Sequence, residues 1–256
     1  MFNFSSRASK IAYSIIASII LLLLWSNMHA VAEAIGLKSP LPERLARDLF
    51  VVIAGIVLTA IAIKPRNVFS FLGLNGNIAK GFGIAILCVI PIYLAFIIFG
   101  RINTDTTFSL VARKSILSGF VEEFMFRAIM FGLLFRYAKI GFFWSVILPA
   151  LCFGAMHLYQ GHDAASSLAA FGVTFLGAVY FSWMYAEWDF NLWVPVGLHM
   201  LMNAAWVVFT MEGTEAAAGG LVSNIARVTG IVLAIALTIW HKKRHGIKFV
   251  AHTQMF

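Results

Sequence analysis

The sequence predicts an all-α protein, a polytopic membrane helix bundle of about eight transmembrane helices. Three observations carry that expectation. Of the 256 residues, 61% are hydrophobic and 12% are charged, against about 25% charged in soluble domains. The apolar residues recur in blocks of roughly 20, the length a helix needs to cross the hydrocarbon core. The blocks are apolar throughout, whereas the strands of a transmembrane barrel alternate apolar and polar residues.

The eight blocks lie near 11–28, 45–63, 78–99, 115–137, 141–158, 166–186, 192–210 and 226–240. Breakers separate them: Pro40 and Pro42, Pro65, Gly73 and Gly76, Gly141, Gly161, Gly213, and Gly219 with Gly220. The last block is short and is expected to tilt or to extend at its N-terminal end. No link is long enough for a second domain and no internal repeat stands out, so a single membrane domain over 1–256 is expected. Before the first block stand Arg7 and Lys10; after it, Ala30-Val31-Ala32 has the look of a signal-peptidase site. An uncleaved helix is expected, since the run is long enough to anchor and further spans follow. Phe2 excludes N-myristoylation, and the C-terminal AHTQMF has no cysteine for prenylation.

The formal charge of +8 does not point to nucleic acid. The basic residues sit in short clusters between blocks and near the ends, and Lys242, Lys243 and Arg244 follow the last block directly. Loops built this way hold helices against an anionic membrane face, so the lipid bilayer is the expected partner. With eight spans both termini share a side. Eleven Lys and Arg, from Arg7 and Lys10 to Lys248, fall there; seven, among them Lys38, Arg44, Arg47, Arg113 and Lys114, fall on the other side, and Arg127 on neither. The bias favours cytoplasmic termini. Cys88 and Cys152 each lie inside a block and read as small buried hydrophobes rather than a disulfide or thiolate site.

One block breaks the apolar pattern. It contains GFVEEFMFRAIMFGLLF, residues 119–135. A central Arg or Asp in a membrane helix costs about 2.5–3.5 kcal/mol, so three charges in one helix call for partners or a task. Glu123 and Arg127 are four apart, on one face within about 40°, and are expected to form a buried pair. Glu122 lies about 140° from Arg127 and about 100° from Glu123, at 100° per residue, so it has no partner in its own helix. An intramembrane ionisable group of this kind is a functional candidate.

Other blocks supply polar groups to meet it. Block 141–158 closes on LCFGAMHLYQ, with His157 four residues after Phe153. Block 192–210 contains VGLHMLMNAAW, with His199 and Asn203 one turn apart on one face. A carboxylate and an imidazole can hold a water and take its proton; a second imidazole and an amide can donate to an oxyanion. Equally, Glu122, His157 and His199 form a two-histidine, one-carboxylate set suited to zinc or another divalent metal. H-E-x-x-H is absent from the sequence, and both chemistries stay open. Arg113, Lys114 and Phe108 read as an interfacial segment or a plain loop, His162 and Asp163 as solvated loop residues, and Glu187 with Asp189 as a turn.

These residues, in this order, resemble the CPBP family (Abi-type), the CAAX-prenyl-protease and bacteriocin-processing intramembrane endopeptidases. Its pattern E-E-x-x-x-R matches Glu122 to Arg127, F-x-x-x-H matches Phe153 to His157, and H-x-x-x-N matches His199 to Asn203. The resemblance covers 115–210, the expected catalytic core. It implies an eight-helix bundle with a cavity inside the membrane. It also implies that Glu122 and His157 activate water, that His199 and Asn203 form the oxyanion hole, and that Glu123 and Arg127 support the site. The family is described both as metalloprotease and as glutamate protease, so it leaves the metal open too. The expectation is therefore a multi-pass endopeptidase of the bacterial inner membrane, acting on membrane-associated proteins or peptides. A proton- or ion-coupled transporter with a buried Glu–His relay is the alternative, without the inverted halves and broken helices that would mark one; an inactive scaffold of the same fold is another. The charge count puts Glu122 and His157 toward the non-cytoplasmic side, whereas a CAAX-type protease would open to the cytosol.

Overall fold

The computed structural model describes residues 4, 6–34, 36, 37, 39–212 and 218–255. Phe2, Lys38, Gly213 and Phe256, used above, lie outside them. Among the described residues the long helices are α1 (Arg7–Ala34), α2 (Pro40–Ala62), α3 (Ile78–Phe99), α4 (108–137), α5 (Phe142–Ala155), α6 (Ala164–Glu187), α7 (Trp193–Val208) and α8 (Leu221–His245). Each apolar block of the sequence falls on one of these eight, and the protein is a multi-pass helical membrane bundle. Six of them are long and apolar enough to span a bilayer by themselves. The last block, expected to be short, extends at both ends into a helix of 25 residues.

Local chemistry sets several boundaries. α2 opens with Pro40 at its first position and Glu43 in its first turn, where a missing N–H and a negative charge are both favoured. α6 opens on a capping box: the Asp163 carboxylate accepts from the Ser166 N–H at 2.7 Å. That backbone bond holds the exposed Asp163 carboxyl below its ordinary value. α8 closes on Lys242, Lys243, Arg244 and His245, with Gly246 in the left-handed conformation that ends the helix. A two-residue ladder, β1 (Arg101–Ile102) against β2 (Phe209–Thr210), ties the far ends of α3 and α7 together.

α4 is the axis of the bundle. Apart from Glu122, every residue from 121 to 135 is buried. Glu123 and Arg127 therefore face protein, not lipid, which answers the cost that their burial in a membrane helix raises. The winding of α4 alternates: π over Ala112–Leu117, α over Ser118–Glu123, then π over Phe124–Phe131 and Leu133–Tyr137. Phe124, Phe126, Phe131 and Phe135 fill the space around it. Between membrane helices such packing stabilises by van der Waals contact, since lipid tails are as apolar as the side chains.

The Arg7 guanidinium donates to the Lys139 carbonyl at 3.0 Å, and the Lys10 ammonium lies 5.4 Å from the Tyr137 ring. The start of α1 thus meets the link between α4 and α5. Glu187 corrects the sequence reading. It is not a solvated turn residue but buried, 2.5 Å from the Lys242 ammonium. Its two oxygens accept from the N–H groups of Val250 (3.1 Å) and Ala251 (2.8 Å), and Lys242 also donates to the Lys248 carbonyl at 3.0 Å. This satisfied ion pair fastens the C-terminal segment across the ends of α5 and α6. Asp189 alone takes the turn, exposed and with φ of 58°.

Candidate active site

Two tightly joined helices create the site. α4 crosses α7 at Gly119, where a Cβ would lie 2.6 Å from Met200 Cγ and 2.8 Å from the Met200 nitrogen. A backbone approach this close admits glycine alone. The Ser115 hydroxyl donates to the Met200 carbonyl at 2.7 Å, and the Asn203 amide donates to the Lys114 carbonyl at 3.0 Å. His199, the residue before Met200, is thereby held against the two glutamates of α4. Gly119→Ala is expected to cost about 1–3 kcal/mol by overpacking, read as a lower thermal midpoint in detergent. An unchanged midpoint would show that the crossing has room to spare.

Glu123 is the hub. Its Oε2 lies 3.0 Å from Arg127 Nε and its Oε1 lies 2.6 Å from His199 Nδ1. Glu123 and Arg127 are fully buried, and His199 nearly so. The Arg127 guanidinium carbon sits 4.7 Å from the Phe153 ring and 5.3 Å from the Phe181 ring, so two aromatic faces complement the cation. The pairing expected from the four-residue spacing is present although the helix between the partners changes winding. The second partner, His199, was not expected. Because an ionised carboxylate only accepts hydrogen bonds, His199 Nδ1 carries a proton and its Nε2 faces the remaining glutamate. Glu122 Oε2 lies 3.8 Å from that Nε2, with 12% of its side chain exposed.

His157 and Asn203 each spend one polar group on a backbone carbonyl. His157 follows the end of α5, and its Nδ1 is 2.7 Å from the Phe153 carbonyl four residues earlier. A carbonyl accepts, so this nitrogen donates. Among the described residues no hydrogen bond or ion pair joins His157 to Glu122. Phe153 stands between the two histidines, its ring 4.6 Å from that of His157 and 6.3 Å from that of His199. Asn203 spends one amide hydrogen on Lys114, so an oxyanion would need the second. α5 runs on through a short 3-10 turn to Gln160, so that 142–160 is one of the six segments long and apolar enough to span a bilayer, and His157 lies near its C-terminal end.

The metal set can be judged on the same geometry. Glu122, His157 and His199 have suitable donor atoms, and each histidine is tethered through Nδ1 as ligating histidines commonly are. Yet among the described residues no three His, Cys, Asp or Glu are gathered so that they could hold a metal ion. As placed here, Glu122, His157 and His199 do not converge as one ligand set.

Comparison with known proteins agrees with this region. Residues 104–205 match the profile of the Rce1-like family, described as type II CAAX prenyl endopeptidase Rce1-like. The chain is also 32% identical over 99 residues to a protein of Bacillus subtilis (strain 168) named "Putative membrane peptidase YdiL", a match that covers 39% of this chain and 36% of that protein. The matched stretch thus spans little more than a third of the relative's length. Residues 104–205, matched by the family profile, contain α4, α5 and α6 and most of α7, and every residue of the three motifs. Over residues 104–205 the chain is thus similar to the Rce1-like family, a likeness consistent with the CPBP resemblance of the three motifs.

Proposed function

We propose that the chain is an intramembrane endopeptidase that hydrolyses peptide bonds of membrane-associated proteins or peptides with a water activated by Glu122. One observation carries the reading: Glu123 fixes His199 so that its Nε2 faces Glu122 across 3.8 Å. That distance is too long for a direct hydrogen bond and suits a water between the two. Glu122 takes a proton as the water oxygen attacks the scissile carbonyl carbon, and the carbonyl oxygen becomes an oxyanion. His199 Nε2–H donates to that oxygen. To donate from both nitrogens the ring carries both protons. Glu122, Glu123, Arg127 and His199 then sum to zero charge, the condition a low-dielectric site favours. Glu122 next passes its proton to the amine as the carbon–nitrogen bond breaks. His157 Nε2 and the second amide hydrogen of Asn203 complete the placement of water and oxyanion.

The test is cleavage of a peptide library by the detergent-purified protein, with and without chelator, beside elemental analysis. Cleavage that survives chelation in metal-free protein is the expected result. One tightly held zinc per chain, lost and regained together with activity, would replace the bare-water scheme by a metal-assisted one. No cleavage at all, together with proton-coupled flux in vesicles, would replace the enzyme by a transporter.

A further inference from the structure

The end of the molecule that carries Glu187 and Lys242 has no part in the proposed chemistry, yet it is built with care. The C-terminal segment crosses the ends of α5 and α6 there. The N–H groups of Phe142 and Phe143 donate to the carbonyls of Gln254 (2.7 Å) and Met255 (3.1 Å), while Glu187 holds Val250 and Ala251 from the other side. Beneath this roof lies a cavity of about 590 Å³, walled by Phe142 and Val146 of α5, Phe175, Val179 and Trp183 of α6, and Phe249 of the roof. Its titratable lining consists of Glu187, already paired with Lys242, and His252 at the roof. Phe143 and Leu176, at its margin, are 42% and 65% exposed. The cavity therefore opens sideways, toward the lipid, and not into the Glu122 site.

What would fill it has a hydrocarbon body and an anionic head. The volume lies within the usual range of ligand pockets, roughly 300–1,000 Å³, and the walls are mostly aliphatic and aromatic side chains. Near the roof several basic side chains are exposed. Lys139 is exposed three residues before Phe142, the exposed Arg7 is bonded to its carbonyl, and Lys248 and His252 are exposed on the roof segment itself. The one carboxylate lining the cavity is neutralised by Lys242.

We propose that this cavity is a binding site for an anionic phospholipid, one acyl chain lying between α5 and α6 and the phosphate resting on Lys139 and Lys248. The site is separate from the Glu122 centre and does not depend on the enzymatic reading. The bound lipid fills the cavity between the two helices and joins the C-terminal segment to the bilayer.

The experiment measures the thermal midpoint and the retained lipid of the detergent-purified full chain, titrated with phosphatidylglycerol or phosphatidylcholine. Phosphatidylglycerol is expected to raise the midpoint and to stay bound through washing, phosphatidylcholine far less, because a ligand of the folded state stabilises it. The exposed variants Lys139→Asn and Lys248→Gln do not threaten the fold; asparagine suits the positive φ of 55° at position 139. Each is expected to weaken phosphatidylglycerol about fivefold, the fold-change of the roughly 1 kcal/mol that one basic residue near a membrane surface contributes, and the pair about 25-fold. Val179→Trp, which fills the cavity, should abolish lipid retention while its lipid-free midpoint holds. Equal retention of both lipids by wild type, or a double variant weakened less than twofold, overturns the proposal. So does displacement of the lipid by a cleaved peptide substrate in stoichiometric amount, which would assign the cavity to substrate.

Discussion

Glu122→Gln should abolish peptide cleavage, by about 10²–10⁴-fold, the usual contribution of a positioned general base, while the thermal midpoint in detergent stays where it was. The amide keeps the shape of the carboxylate and can still accept a hydrogen bond from water, but it cannot take the proton. Stability should not follow activity, because Glu122 contributes little to packing. It is the one residue of α4 between 121 and 135 that is not buried, and its ionic neighbour, His199 Nε2, is 3.8 Å away. Removing a charge from membrane depth is no burden to the fold. The measurement pairs a fluorogenic peptide assay with a melt of the same preparation. Wild-type turnover in the variant would move the base to another residue; a collapse of the midpoint would make Glu122 a structural group.

The architecture was legible because lipid demands long apolar runs, and each of the eight runs became a helix. The Glu123–Arg127 pair was legible for a local reason: four residues place two side chains on one face, and that survived the change from α to π winding. His157 also carries a local signal, since its Nδ1 returns to the carbonyl of the phenylalanine four residues before it. What could not be read was contact between helices. Glu123 meets His199 across 76 residues, and that meeting depends on the close crossing at Gly119, a glycine with nothing in its neighbours to single it out. The π winding of α4 was equally hidden, because it reflects packing on all sides rather than the propensity of its residues. Glu187 looked like a turn residue for the same reason: its partners Lys242, Val250 and Ala251 come from two later segments that only the folded chain brings to it.

Glu123→Gln should fail in a different way from its neighbour. It leaves Arg127, fully buried between Phe153 and Phe181, without its counter-charge. Breaking one side of a buried pair costs about 3–5 kcal/mol, so the yield of folded protein and the midpoint should both fall. That alone would not separate support of the fold from support of the chemistry, since an unfolded enzyme is also inactive. The double variant Glu123→Gln with Arg127→Met separates them. It removes both charges and keeps similar volume, and replacing a buried pair by neutral groups is often harmless or stabilising. Folded protein should therefore return. Cleavage should not, because His199 Nδ1 would then face a neutral amide, which still accepts its hydrogen but no longer balances a doubly protonated ring. The loss expected is that of an impaired oxyanion donor, about 10²–10³-fold in turnover, with the Michaelis constant little changed. If the double variant regains both midpoint and turnover, Glu123 serves the fold alone and the hub assigned to it carries no chemistry. If it regains the midpoint and stays slow, the same carboxylate that neutralises Arg127 also sets the charge and the aim of His199.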